Sequence, residues 1–306
     1  MTSDDARPVV LFATYAKQPG LTEDDQLFAR ALEDRGVAVR AAVWDDPAAA
    51  WSNAAAVVIR STWDYHLRRL AFLEWVDRVS AATTLHNDRA AVHWNSHKRY
   101  LAGLAKRGVR VIDTVFADTG STLDLRDVAR AHGWRDVVVK PAVSASAHET
   151  LRFDVNERAE GQAHLDRLLA TRDVMVQPHL AALAEQGELS LLFARGAFTH
   201  AVRRRSALVD GHVMPKSAAA EAPAAALRCA ERVLEATGAL TGVAPNDLLY
   251  ARVDLAAAGD EYVLLELELI EPSLFLLHAP QAAERFAAAL PVIPRSEATR
   301  NLHAKT

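Results

Sequence analysis

The sequence predicts an α/β protein of more than one lobe, and three features carry that prediction. Residues 8–60 alternate short apolar runs with one amphipathic helical stretch, the pattern of a parallel, Rossmann-like sheet. The second half replaces that pattern with strands joined by short turns, which read as hairpins. At 306 residues, 50% of them hydrophobic, the chain can fill two or three packed lobes.

Pro8 to Thr14 is a short apolar run and hence a buried strand. Thr22-Glu23-Asp24-Asp25 opens a helix with Leu27, Phe28, Ala31 and Leu32 on its apolar side, and Gly36 ends it. Val37 to Trp44 and Ala56 to Arg60 give two further strands. No GxGxxG accompanies them, so they are not read as a dinucleotide site. The loop Arg60-Ser61-Thr62-Trp63-Asp64-Tyr65 leaves the C-terminal end of the third strand, where open α/β sheets bind ligands. Arg60 can fork to a carboxylate and Asp64 can hold an amine. The alternative is a capping loop, with Asp64 starting a helix that carries Leu70, Phe72, Leu73 and Val76.

Ser96 is expected to cap a helix with Tyr100, Leu101 and Leu104 on its apolar side and Lys98 in its first turn. Val109 to Phe116 reads as a strand. Lysine is scarce, so Lys140 at the end of the apolar strand Val137 to Pro141 invites a specific explanation. After it, Ala142 to Thr150 is a run of small and hydroxyl residues, Ser144, Ala145 and Ser146 among them, before Leu151 to Asp154 returns as a strand. Such a hairpin tip can fold its N–H groups around phosphate oxygens, with Lys140 supplying fixed charge; a flexible surface hairpin is the alternative. No Walker A pattern is present.

Val174 to Leu180 is a strand broken at Pro178, followed by a polar insert. Glu188 to Phe193, a turn at Gly196 and Ala197 to Arg203 then form a hairpin into another lobe. Strand alternation puts Arg203 and Arg205 on one face, either solvated or placed to neutralise polyphosphate. Ala218 to Gly238 reads as a long helix and Leu274 to Leu290 as the start of another, with a frayed tail past Pro294.

The stretch Arg252 to Ser273 is the most informative. Tyr250 to Leu255 and Tyr262 to Ile270 read as strands joined by a turn at Ala256 to Glu261. Glu266 and Glu268 alternate with Leu265, Leu267 and Leu269, so the carboxylates share one face and the leucines the other. If the strands pair antiparallel, Asp254 can lie across from both glutamates. Three such carboxylates repel one another unless a cation sits between them, and hard oxygen ligands suit Mg2+. A solvated acidic edge hairpin is the bland alternative.

Composition excludes other classes. A net charge of −4 offers no basic field for nucleic acid. No apolar run reaches the roughly 20 residues of a membrane span. The segment MTSDDARP has no signal-peptide pattern, and the single Cys229 fits a reducing cytoplasm and a buried, inert thiol.

The ordered set (a lysine at a helix start, a strand lysine with a small-residue loop, a strand-break hinge, then ARVD and ExE before a proline) resembles the ATP-grasp superfamily. The resemblance implies a Rossmann-like N-terminal lobe at 1–92, a central lobe at 93–176 and a C-terminal lobe at 177–306, with ATP gripped between the last two. It makes Lys98 and Lys140 the phosphate lysines and Ser144 to Thr150 the phosphate loop. Gln177, Pro178, His179 and Leu180 become the adenine-holding hinge, and Glu188, with Glu185 as the alternative, the ribose acid. Asp254, Glu266 and Glu268 become Mg2+ ligands. Arg252, Lys140 and Arg203 become the catalytic cations, and Arg60, Ser61, Thr62, Asp64, Arg252 and Ser273 the substrate residues. Glu268 stands where many members carry asparagine.

The segments IRSTWDYH, WNSHKRYL, VVKPAVSASAHET and LLELELIEPSLFL are similar to the O-ureido-serine cyclo-ligase subgroup of D-cycloserine biosynthesis. Lys216 stands in for a further basic residue of that subgroup. The implied activity is ATP-dependent activation of an amino-acid-like carboxylate as an acyl phosphate, followed by attack of a nitrogen, by ring closure or between two molecules. The partners implied are ATP and the small-molecule substrate, with a homodimer as the assembly common among relatives.

Overall fold

The computed structural model describes residues 7–145, 148–155, 158–209 and 212–291. The N-terminal sheet holds β1 (Val9–Thr14), then, after α1 (Glu23–Glu33), β2 (Ala38–Val43) and β3 (Ala56–Ile59), and, after α2 (Arg69–Ala82), β4 (Leu85–His86). Its pairs are parallel, as the apolar runs predict, and its order is β2-β1-β3-β4. Thr22 caps α1, its hydroxyl accepting from the Asp25 N–H at 3.0 Å. On α2, Leu70 is 73% exposed, and Trp75 and Val79 join Phe72, Leu73 and Val76 in the core.

Two short helices follow, α3 (Arg89–Asn95) and α4 (Tyr100–Lys106). Asp88 caps α3, accepting from the Ala90 N–H at 2.7 Å, and Ser96 ends α3 rather than opening α4: its hydroxyl donates back to the His93 carbonyl at 2.8 Å, and Arg99 holds the N-cap position of α4. Lys98 therefore lies in the turn between two helices, not in a first turn.

The central sheet contains β5 (Val115–Ala117), then α5 (Leu125–His132), β6 (Asp136–Pro141), β7 (Leu151–Asp154), α6 (Arg158–Leu169) and β8 (Val174–Pro178). Its order is β5-β8-β6-β7, with every pair antiparallel. A helix, α7 (Ala181–Gln186), occupies the expected polar insert.

The third sheet is assembled from β9 (Glu188–Ala194), β10 (Ala197–Val209), β11 (His212–Ala220), and, after α8 (Ala224–Thr241), β12 (Ala251–Ala258) and β13 (Glu261–Glu268), in the order β11-β10-β9-β12-β13. β10 runs past Arg205 because β11 pairs along it, and Ala218 to Ala220 belong to that strand rather than to the expected helix. Residues 110–112 likewise leave the strand expected at Val109 to Phe116: Ile112 N–H donates to the Leu264 carbonyl at 2.9 Å, tying the central segment to β13. Downstream, Pro280 separates a 3-10 turn at Leu276–His278 from α9 (Ala282–Ala289). The tail past Pro294 lies outside the described residues.

Two cores join the lobes. Tyr100, Leu101 and Leu104 of α4 pack with Cys229 and Val233 of α8 and with Leu264 and Leu267 of β13. Phe12 and Phe28 pack with Tyr250 and Phe286, so α9 covers α1. The expected boundary at 92/93 falls inside α3.

Candidate active site

The β12–β13 hairpin sets the register that the acidic pattern requires: Asp254 lies opposite Glu266 and Arg252 opposite Glu268. Its turn is shorter than expected, since Ala258 still pairs with Glu261 and only Gly259, at φ 68°, and Asp260 intervene. Pairing passes from Asp254–Glu266 to Leu255–Leu264, which leaves Leu265 as the extra residue of a bulge. The bulge corrects one expectation. Leu267 and Leu269 enter the core, whereas Leu265 packs with Ile112, Ala256, Val263 and Leu180.

Cations are interleaved with these carboxylates. Asp254 is wholly buried, and it accepts from Arg252 Nε at 3.0 Å and from Arg204 Nη2 at 2.7 Å. Arg204 also pairs with Glu188 and donates from Nε to Ser190 Oγ at 3.0 Å, while Arg252 pairs with Glu268. Burial alone pushes the Asp254 carboxyl up, but Arg204 and Arg252 outweigh it and hold the group charged. Burial and the Asp254 charge push Glu188 upward, and burial does the same to Glu268 against the opposing Arg252.

Lys98 brings the remaining parts together. Its Nζ lies 2.5 Å from Glu266 Oε1 and donates at 3.0 Å to the Ser144 carbonyl. Its own N–H donates at 2.8 Å to the Ala142 carbonyl. Burial works against this ammonium, yet Glu266 raises its pKa overall. Lys140, on β6, is driven the other way by burial and by Lys98, and its ammonium makes no hydrogen bond or ion pair with the described residues. Ser144 is buried and Ala145 packs on the N-terminal core; Ser146 lies outside the described residues.

At the hinge, Gln177 pairs with Val138, and His179 N–H donates to the Asp136 carbonyl at 2.8 Å. Among the described residues the Leu180 N–H makes no backbone hydrogen bond. Pro178 ends β8, and α7 carries the chain to Glu188 at the start of β9; Glu185 is exposed on α7. One face of the hairpin thus runs from charged residues (Arg252, Asp254, Glu266, Glu268) to apolar ones (Ala256, Val263, Leu265), with Leu180 beside the apolar end.

The N-terminal loop differs from its expected chemistry. Arg60 does not offer a free fork: Nε meets Asp25 at 2.7 Å and Nη2 donates to the Pro272 carbonyl at 2.9 Å. Asp64 is engaged by Trp44 Nε1 at 2.8 Å and Arg68 Nη2 at 3.1 Å, so it is not free for an amine, and it caps no helix with its side chain. What remains is Arg60 Nη1, Ser61 Oγ, Thr62 Oγ1 and both ring nitrogens of His66, all buried without a hydrogen-bond partner among the described residues. Burial and the neighbouring His148 lower the His66 pKa, and the Trp63 carbonyl opposes them. Sequence reasoning missed His66. Ser273, beside this region, receives a long 3.5 Å contact from Arg252 Nη1 on its carbonyl.

Arg203 is also corrected. It donates to the Gln186 carbonyl at 3.0 Å, and Arg204 is the arginine that reaches the acidic cluster. A register shift between Phe198 and His200 reverses the parity counted from the turn. Lys216 stands exposed on β11 opposite Arg205. A cleft of about 300 Å³ beside α8, lined by Arg228, Glu231, Arg232, Glu235 and Glu261, contains none of these residues.

The donor set fits a divalent cation, though in a paired state. Among the described residues no three carboxylate, histidine or cysteine side chains gather as a metal-ligand group. Instead Lys98 and Arg252 neutralise Glu266 and Glu268, whose side chains are 27% and 25% exposed. Hard oxygens on one partly open face are what Mg2+ takes, and the upward push on Glu268 from Glu266 and Asp254 is repulsion that a cation relieves.

A parallel N-terminal sheet, an antiparallel central lobe and a carboxylate hairpin tied to that lobe through one lysine define an ATP-grasp ligase, and the solved structures agree. The structure of the ATP-grasp ligase PsnB with a precursor variant, Mg and ADP matches 93% of this chain and 99% of its own at a TM-score of 0.63 and 16% identity. The crystal structure of D-cycloserine synthetase DcsG matches 92% of this chain and 98% of its own at a TM-score of 0.83 and 33% identity. The cycloserine biosynthesis protein DcsG of Streptomyces lavendulae is 34% identical over 265 residues, 83% of this chain and 88% of that protein. The family model for the N-terminal domain of D-cycloserine synthetase DcsG matches residues 10–87. The chain belongs to the DcsG family.

Proposed function

We propose that this ligase uses MgATP to activate the carboxylate of an amino-acid-like small molecule as an acyl phosphate, which a nitrogen then attacks, within the same molecule if the enzyme is a cyclo-ligase. The observation that carries the reading is the position of Lys98, whose ammonium touches both the loop carbonyl of Ser144 and the carboxylate of Glu266. Triphosphate held there meets Lys98 and Lys140 from one side and the hairpin from the other. Adenine rests at the apolar end of the hairpin face, its edge on the hinge N–H of Leu180 and its ribose toward Glu188. PsnB, on the same fold, is seen with Mg and ADP.

Asp254, Glu266 and Glu268 would hold Mg2+, which screens phosphate charge during transfer. Arg252, fixed by Asp254 and Glu268, stabilises negative charge on the carbonyl oxygen under attack. Arg204 keeps Glu188 and Asp254 from repelling one another. The substrate sits on the loop of Arg60, Ser61, Thr62 and His66, where Arg60 Nη1, the two hydroxyls and the His66 ring nitrogens are buried without a hydrogen-bond partner among the described residues. Kinship to DcsG, a cycloserine biosynthesis protein, supports ring closure and a role in antibiotic biosynthesis.

The test is ADP release with MgATP over D- and L-amino acids and O-ureido-serine, with products read by mass spectrometry. A cyclised product supports ring closure, and a dipeptide supports joining of two molecules. Glu266→Gln should lower turnover at least about 100-fold with the fold intact; near wild-type turnover removes the metal assignment.

A further inference from the structure

The segment joining β6 to β7 is fixed at two ends. Its leading end is tied down by Lys98, as described, and by the Ala142 N–H donating to the Asp173 carbonyl at 2.9 Å. Its trailing end turns on Glu149. That residue has φ 53°, a left-handed conformation that a non-glycine residue keeps only when its surroundings hold it there. Glu149 Oε1 lies 2.6 Å from Arg167 Nη1, and Oε2 lies 2.6 Å from Arg172 Nη1. The Glu149 carbonyl lies 3.1 Å from His164 Nε2, and His164 Nδ1 is 3.0 Å from Arg167 Nη2. Side chain and main chain of one residue are therefore both bound to α6 and the turn after it.

The other ties here are local: the His148 N–H donates to the Ala145 carbonyl at 3.0 Å, His148 Nε2 lies 3.5 Å from Glu149 Oε2, and Leu151 pairs with Val139. β7 is an edge strand, and Leu151 and Arg152 at its start are exposed. Next to Glu149, the His148 ring faces His66 of the substrate loop at 5.1 Å between centroids. Neither Arg167 nor Arg172 has another acidic partner among the described residues. A lone surface pair contributes little, but here one carboxylate, with only 21% of its side chain exposed, meets two arginines on a strained backbone.

We propose that Glu149 is a positioning residue for the nucleotide's phosphates: its double ion pair to Arg167 and Arg172 latches the trailing end of the phosphate loop to α6. This rests on the ligase reading above. The latch acts on phosphate affinity and leaves the adenosine half of the site alone, because the hinge and the apolar end of the hairpin are on other elements.

Three variants separate the latch from backbone shape. Glu149→Gln keeps the size and removes the charge. Glu149→Gly relieves the positive φ and removes the carboxylate. Arg167→Gln with Arg172→Gln leaves Glu149 in place. All three should speed amide exchange over residues 148–154 in the nucleotide-free protein and weaken Mg·AMPPNP binding by about tenfold in calorimetry, with adenosine affinity unchanged. Equal losses for AMPPNP and adenosine indicate a general structural defect and overturn the proposal, as does unaltered exchange. Exchange that quickens while AMPPNP affinity holds also overturns it. If the wild type itself binds no AMPPNP, the ligase reading falls and takes this proposal with it. Binding that ignores the variants sinks only the latch.

Discussion

Thr62 carries a hydroxyl that the fold buries completely and leaves without a partner among the described residues. Such a group weakens the free protein, because its water is lost and nothing replaces it. If substrate supplies the missing partner, Thr62→Val should leave the melting temperature unchanged or raise stability by up to about 1 kcal/mol, while KM for the substrate rises about tenfold. A lower melting temperature with an unaltered KM would mark the hydroxyl as structural, bridged by water. The same logic explains what single residues disclosed in the sequence and what they did not. Lys140 was legible because a lysine in an apolar strand is costly without a task. Asp64 and Arg60 were legible as polar residues at a strand end, but their partners, Arg68 with Trp44 and Asp25, are set by packing between elements. Arg204 was hidden behind Arg203, since one shifted residue in β10 exchanges the two faces.

Elements were easier to read where one strand's pattern fixes its face. The alternation of Glu266 and Glu268 with leucines is enough to imply the hairpin, and the register places Asp254 opposite Glu266 as that pattern requires. The bulge at Leu265 was not legible, because it arises from pairing between strands rather than from either strand alone. β11 was missed for a related reason: its Ala-rich end reads as helix, and only β10 beside it imposes extension. At the join of α7 and β9, Gly187 has φ 74°, and a Cβ there would stand 2.4 Å from the Arg204 carbonyl oxygen and 2.6 Å from Arg205 Cγ. The main-chain oxygen cannot move without shifting β10, which carries Arg204 to Asp254. Gly187→Ala should therefore cost about 2 kcal/mol or more in urea unfolding and lower ATP turnover through the displaced Arg204. Wild-type stability in that variant would show that the turn adapts, and that β9 is not held to β10 at this point.

At the scale of the molecule, the order of motifs told which parts meet, since Lys98, Ser144 and Glu266 are far apart in sequence and joined only by the closed arrangement of lobes. The sharing of cores between lobes was beyond such reading, because α4 on α8 and α9 on α1 are choices among apolar faces that look alike in a sequence. That sharing buries titratable groups, and the pH dependence of stability follows from it. His86 is 7% exposed; burial, with Arg195 nearby, lowers its pKa from 6.5 to about 4. Between those values the unfolded chain binds a proton that the folded chain refuses, so this residue's effect is to make stability fall as pH falls from 6.5 to 4. Glu188, Glu268 and Glu271 act in the opposite sense, as their raised pKa values let the folded state take protons first. The total curve mixes both, and a difference against His86→Leu isolates the histidine. In urea unfolding at pH 7, 6 and 5, the variant should gain on the wild type as pH falls, by about 2 kcal/mol over that range. Parallel curves would mean that His86 titrates normally in the fold, and that the interface between β4 and the C-terminal lobe admits water.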